Sequence, residues 1–125
     1  NYGITNPNID TISLISPTTS DARVKQITEN SSGFIYYVTL RGVTGSSNLN
    51  VEEIEKNISN IRKYTDVPTL AGFGIKSAED AKILAKSADG VIVGSSIVEM
   101  IDAAKETKDF SKIEEYLKDL NRAIN

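Results

Sequence analysis

The sequence predicts an α/β fold of four βα units, with parallel strands and outer helices forming half of a (β/α)8 TIM barrel. Three observations carry that prediction. Short β-branched or apolar runs alternate with helical patterns four times, at periods of roughly 25 to 35 residues, a pattern that right-handed crossovers fold into a parallel sheet. Two successive strands end on glycine, at Gly72-Phe73-Gly74 and at Gly94-Ser95, with a helix between them. The 125 residues are about half of a complete barrel, which takes ~250. The chain also starts without Met and in mid-element, which favours a half-barrel over a small open doubly wound sheet. Residues 1–125 are thus expected to form one half-barrel segment of a larger domain.

The elements follow from local pattern. Residues 9–16 (IDTISLIS) are β-branched and alternate, as a strand does, and stop at Pro17. Thr19 or Ser20 then caps a helix over 21–30, with Asp21 in its first turn and Val24 and Ile27 as its apolar stripe. Residues 34–40 (FIYYVTL) form a dense aromatic and β-branched strand. In it Tyr36 and Tyr37 face opposite ways, one toward the barrel interior and one toward the helices. The glycine- and serine-rich stretch 42–48 reads as a loop, a passive connector or a closing lid. Val51, Ile54, Ile58 and Ile61 recur at helical spacing, predicting a helix over 51–64. Residues 67–72 form the third strand, and Ser77 with Asp80 opens a helix over 78–86. The wholly apolar 90–94 (GVIVG) suits a strand covered on both faces. Helices are expected over 97–105 and 110–124, the last with Phe110, Ile113, Leu117, Leu120 and Ile124 along one side.

Composition narrows the chemistry. A net charge of −3 gives no electrostatic support to nucleic-acid binding. No stretch approaches the ~20 apolar residues of a membrane span, and with no cysteine a reduced, cytoplasmic setting is expected. Without cysteine or histidine there is no thiolate, no imidazole base and no sulfur- or imidazole-bound metal. In parallel α/β folds function sits at the C-terminal strand ends. Here these ends are Ser16-Pro17-Thr18, Thr39-Leu40-Arg41, Gly72-Phe73-Gly74 and Gly94-Ser95-Ser96. They offer hydroxyls, glycine amides, an aromatic ring and one cation, but no carboxylate. Two glycine-ended strands side by side suit a phosphate, because amides approach an anion closely where no Cβ intervenes. Each glycine could alone serve a tight turn, and Ser95 and Ser96 could be simple helix caps. Together they read as the binding half of a site, without its reacting half.

Several segments carry a family resemblance: residues 14–19 (LISPTT), 33–38 (GFIYYV), 42–45 (GVTG), 72–75 (GFGI) and 90–98 (GVIVGSSIV). In order and spacing they closely resemble the C-terminal half, strands 5 to 8, of tryptophan synthase α subunits. The resemblance covers essentially the whole chain, and the YYV-then-GVTG segment is its specific part. It implies a lyase of tryptophan biosynthesis that cleaves indole-3-glycerol phosphate to indole and glyceraldehyde 3-phosphate without a cofactor. It also implies an α2β2 complex, in which indole passes to a pyridoxal-phosphate-dependent β subunit. By the same resemblance Gly45, Gly74, Gly94 and Ser95 would hold the phosphate, Phe73 and Tyr36 would line the indole pocket, and Thr44 would sit in the closing loop. The family's catalytic Glu and Asp belong to the other half and have no counterpart here, so this segment alone is expected to be inactive. The family usually places Ser-Arg-x before GVTG, whereas this chain has Thr39-Leu40-Arg41, which shifts the basic residue by one. The alternatives are a half-barrel phosphate-binding module that self-associates through its open strand edges, and another sugar-phosphate barrel enzyme.

Overall fold

The computed structural model describes residues 6–39, 50–72, 75 and 77–125. Strands β1 (Ser13–Ile15), β2 (Ile35–Val38), β3 (Thr69–Gly72) and β4 (Gly90–Ile92) form one parallel sheet in the order β1-β2-β3-β4. Helices α1 (Asp21–Glu29), α2 (Val51–Arg62) and α3 (Ala78–Ala85) connect successive strands, and α4 (Ser95–Ala104) and α5 (Ser111–Ile124) follow β4. This is the βα alternation expected of four units of a TIM barrel. Among the described residues no helix is long and apolar enough to cross a membrane.

Helices α1, α2 and α3 each start where a short polar side chain can replace a missing intrahelical partner. Ser20 accepts from the amide of Arg23, Asn50 from that of Glu53, and Ser77 from that of Asp80. The apolar stripes then dock on one face of the sheet. Ile15, Ile35, Tyr37 and Ala71 point to the helices and pack with Val24, Ile54, Ile58, Ile61, Ala81 and Leu84. Ile35, Ile58 and Tyr37 are fully buried, and each such side chain contributes about 1.5–3 kcal/mol of transfer free energy. Tyr37 carries a polar atom into this layer, satisfied by Asn57 of α2, whose amide donates to the hydroxyl at 2.9 Å. Burial pushes the Tyr37 phenol up from its ordinary pKa.

The alternate residues Leu14, Tyr36, Val38, Leu70 and Ile92 occupy the other face, which no helix among the described residues covers, and Leu14 is 62% exposed there. Sidedness thus resolves the tyrosine pair. Tyr37 faces the helices and Tyr36 the open face.

β1 is shorter than the alternating run predicts. Its ladder begins only at Ser13, opposite Ile35, because the partner chain enters β2 through Gly33 at φ 68°. A side chain at Gly33 would be strained and would also meet Ile12 at 2.9 Å. Residues 9–12 therefore lie beyond the paired strand, and Ile9 is exposed.

Candidate functional site

The C-terminal ends of β2, β3 and β4 are level, since Val38 pairs with Gly72 and Gly72 with Ile92. Two clamps hold this rim. Thr39, just past β2, donates both its backbone N–H (3.0 Å) and its hydroxyl (2.8 Å) to the Gly72 carbonyl. Ser96, in the first turn of α4, donates its hydroxyl to the Ile75 carbonyl at 3.3 Å, joining the start of α4 to the segment after β3. Neither clamp was evident in the sequence. Thr39 read as one more β-branched strand residue, and Ser96 as a possible cap of its own helix.

α4 begins at Ser95, two residues earlier than its apolar pattern suggests, and its N-cap is Gly94. It differs from the first three helices in two respects. No side chain caps it, and its first turn carries no acidic residue, whereas α1, α2 and α3 have both a polar cap and first-turn carboxylates. Gly94 and Ser95 are exposed, and a Cβ built on Gly94 would meet nothing within 4 Å. The positive end of a ten-residue helix therefore opens onto solvent beside the end of β3, with neither cap nor carboxylate to neutralise it. Such an end is suited to an anion.

Tyr36 reaches this rim from the open face. A Cβ on Gly72 would stand 2.6 Å from the Tyr36 hydroxyl oxygen, so the ring lies across the end of β3. Of the residues expected at the site, the structure thus brings Tyr36, Gly94 and Ser95 to one edge of the sheet. Thr44, Gly45, Phe73, Gly74, Arg41 and the loop 42–48 lie outside the described residues.

At the end of β1, Ser16 and Thr18 share a hydroxyl hydrogen bond of 2.9 Å, and Thr19 accepts from the Ser16 amide at 3.0 Å. These hydroxyls close the β1–α1 turn on themselves. Among the described residues no three acidic side chains could jointly hold a metal ion. The perturbed carboxyls are in the helical layer. Asp21 lies below its ordinary pKa because it accepts from Asn60 and from the Tyr64 hydroxyl, and Asp109 does so because it accepts from Ser111 at the start of α5. What the rim can do chemically is bind an anion and pack an aromatic group. The described rim residues Thr39, Gly72, Gly94, Ser95 and Ser96 include no carboxylate.

Comparison with known proteins identifies relatives of this chain. The family model described as Tryptophan synthase alpha chain matches residues 2–125. A tryptophan synthase alpha chain from Thiobacillus denitrificans is 43% identical over 118 residues, which is 94% of this chain and 43% of that protein. Among solved structures, a tryptophan synthase subunit alpha from Legionella pneumophila superimposes with a TM-score of 0.74 at 33% identity, over 93% of this chain and 42% of the other. The subunit alpha from Campylobacter jejuni gives 0.69 at 40% identity, over 76% of this chain and 38% of the other. The chain spans less than half the length of the curated relatives it matches.

Proposed function

The chain belongs to the tryptophan synthase alpha chain family, and on that premise we propose that it is the phosphate-holding part of an enzyme of tryptophan biosynthesis. The reaction is the cofactor-free cleavage of indole-3-glycerol phosphate to indole and glyceraldehyde 3-phosphate, in partnership with a β subunit and in the cytoplasm. The observation that carries this reading is the bare start of α4: Gly94 as N-cap, no side-chain cap and no acidic residue in the first turn. The phosphate sits there, against the amides of Gly94 and Ser95, with Gly45 and Gly74 completing the cradle. Tyr36 and Phe73 flank the indole, and Thr44 belongs to the loop that closes over it. Residues 1–125 act as one half-barrel segment of the enzyme's domain. Their strand ends offer amides and hydroxyls, and the general acid and base come from elsewhere in the enzyme. The segment alone then binds but does not cleave.

Calorimetric titration with glycerol 3-phosphate tests the binding half of this reading, and release of indole from indole-3-glycerol phosphate tests the other. Saturable phosphate binding without indole release is the expected result. Indole release by the pure chain would refute the assignment of catalysis to another segment. Absence of any glycerol 3-phosphate binding would refute the cradle.

A further inference from the structure

We propose that Thr39 is a positioning residue of the site: its hydroxyl fixes the end of β3 and so seats the Tyr36 ring against which the aromatic part of the ligand packs. This role rests on the proposed function, in which Tyr36 flanks the indole. Thr39 is 3% exposed and, by the alternation of β2, lies with Ile35 and Tyr37 on the helical side of the sheet. Tyr36 lies on the opposite side. Thr39 is thus behind the sheet from a ligand on the Tyr36 side, and its effect on that ligand passes through the backbone between them.

That backbone is Gly72. Glycine is the least restrained residue of a chain, and Gly72 has no side chain to anchor it. It nevertheless pairs with Val38 on one side and with Ile92 on the other. The Tyr36 hydroxyl oxygen takes up the space over it, 2.6 Å from where a Cβ would stand. The seat of the ring is therefore bare backbone, and a pivot of the Gly72 peptide would move it. A single hydrogen bond fixes the distance of a carbonyl and leaves its tilt free. Thr39 donates two to the Gly72 oxygen, from its N–H at 3.0 Å and from its hydroxyl at 2.8 Å. Both acceptor positions of that oxygen are then taken, and the second bond does for Gly72 what a packed side chain does elsewhere. The two bonds are separable. Any residue but proline can make the first, whereas the second needs a side-chain hydroxyl.

The test combines NMR of the tyrosine rings of the pure chain, the Tyr36 signal being identified by its loss in Tyr36→Phe, with titrations by indole and by glycerol 3-phosphate. Thr39→Val keeps the side-chain shape and the backbone bond but removes the hydroxyl, and Thr39→Ser keeps the hydroxyl. Thr39→Val should shift the Tyr36 ring signal and weaken indole roughly three- to tenfold, the scale of one net hydrogen bond. Its affinity for glycerol 3-phosphate should stay that of the wild type, because Ser96 holds the start of α4 separately. Thr39→Ser should match the wild type in every readout. If Thr39→Val does not fold, Thr39→Ala removes the same hydroxyl and takes its place. An unmoved Tyr36 signal, an equal loss of indole and glycerol 3-phosphate, or a Thr39→Ser chain that behaves like Thr39→Val would overturn the proposal. A wild type that binds no indole would instead refute the pocket assigned to Tyr36, and the ring signal of the two variants would still decide whether Thr39 seats that ring.

Discussion

The Tyr36 hydroxyl oxygen lies 2.6 Å from the point where a Cβ on Gly72 would stand, with the Tyr36 Cζ at 2.9 Å and the Ile92 Cβ at 3.0 Å. Space, not backbone conformation, dictates glycine here, since among the described glycines only Gly33 has a positive φ. Gly72→Ala should therefore destabilise the chain by about 1–3 kcal/mol through overpacking. In a Tyr36→Leu background the obstructing ring is gone, and the same substitution should become milder, with a coupling of about 0.5–3 kcal/mol. Urea denaturation of the four proteins measures it. Additive effects would mean that the ring relaxes out of the way without cost.

At the opposite end of the same strands Asp89 holds β3 and β4 together. Its Oδ2 accepts from the buried Thr69 amide at 2.9 Å, its Oδ1 accepts from Arg62 at 3.1 Å, and its own N–H donates to the Thr69 carbonyl. The two side-chain contacts differ in weight. Arg62 and Asp89 are about half exposed, and such an ion pair is worth ~0–1 kcal/mol. Loss of the acceptor for a buried amide costs about 1–3 kcal/mol. Asp89→Ala should thus lower the urea midpoint clearly more than Arg62→Ala does. Equal losses would show the ion pair to be the main contribution.

How much of this was legible in the sequence depends on which neighbour sets each feature. Period-two and period-3.6 patterns mark surfaces that must be buried, so the four βα units, the Ser20 and Ser77 caps and the Ile54, Ile58, Ile61 stripe could be read locally. The extent of β1 could not. Its first paired residue is fixed by where Gly33 delivers the partner strand. The same limit applied to α5, where Leu120 is buried and Tyr116 packs on the core while Phe110 and Leu117 stay exposed. An apolar stripe states that burial is favourable, not that a neighbour is present to provide it. At the site, glycine-ended strands were visible as a motif, but the Thr39 and Ser96 clamps join residues 33 and 21 positions apart and leave no local trace.

The α1–α2 contact carries a pH dependence of definite sign. Hydrogen bonds from Asn60 and Tyr64 hold the Asp21 carboxyl below its ordinary 3.8. A depressed carboxyl contributes stability that is present above its unfolded pKa and lost as pH falls through the folded one. The same bond raises the Tyr64 phenol, whose contribution is present below its unfolded pKa of about 10 and lost as pH climbs through the folded value. Asp21→Asn should therefore melt below the wild type at pH near 6, and the gap should narrow once the pH falls below 3.8. Thermal melts across that range decide it, a constant gap being the contrary result.

Gly94 allows the ligand to be separated from the fold. A Cβ at this position meets nothing within 4 Å, and the glycine is not in the left-handed region. Gly94→Val should for that reason leave the melting temperature nearly unchanged, within the ~0.5 kcal/mol typical of surface substitutions. A bound phosphate would meet the new side chain at the distance where only an amide can be tolerated. Titration with glycerol 3-phosphate should then show binding to the wild type and at least a tenfold loss in the variant, about 1.4 kcal/mol or more. Undiminished affinity in a normally folded Gly94→Val chain would move the anion away from the start of α4. A variant that fails to melt cooperatively would instead mean that Gly94 is required by the β4–α4 turn itself.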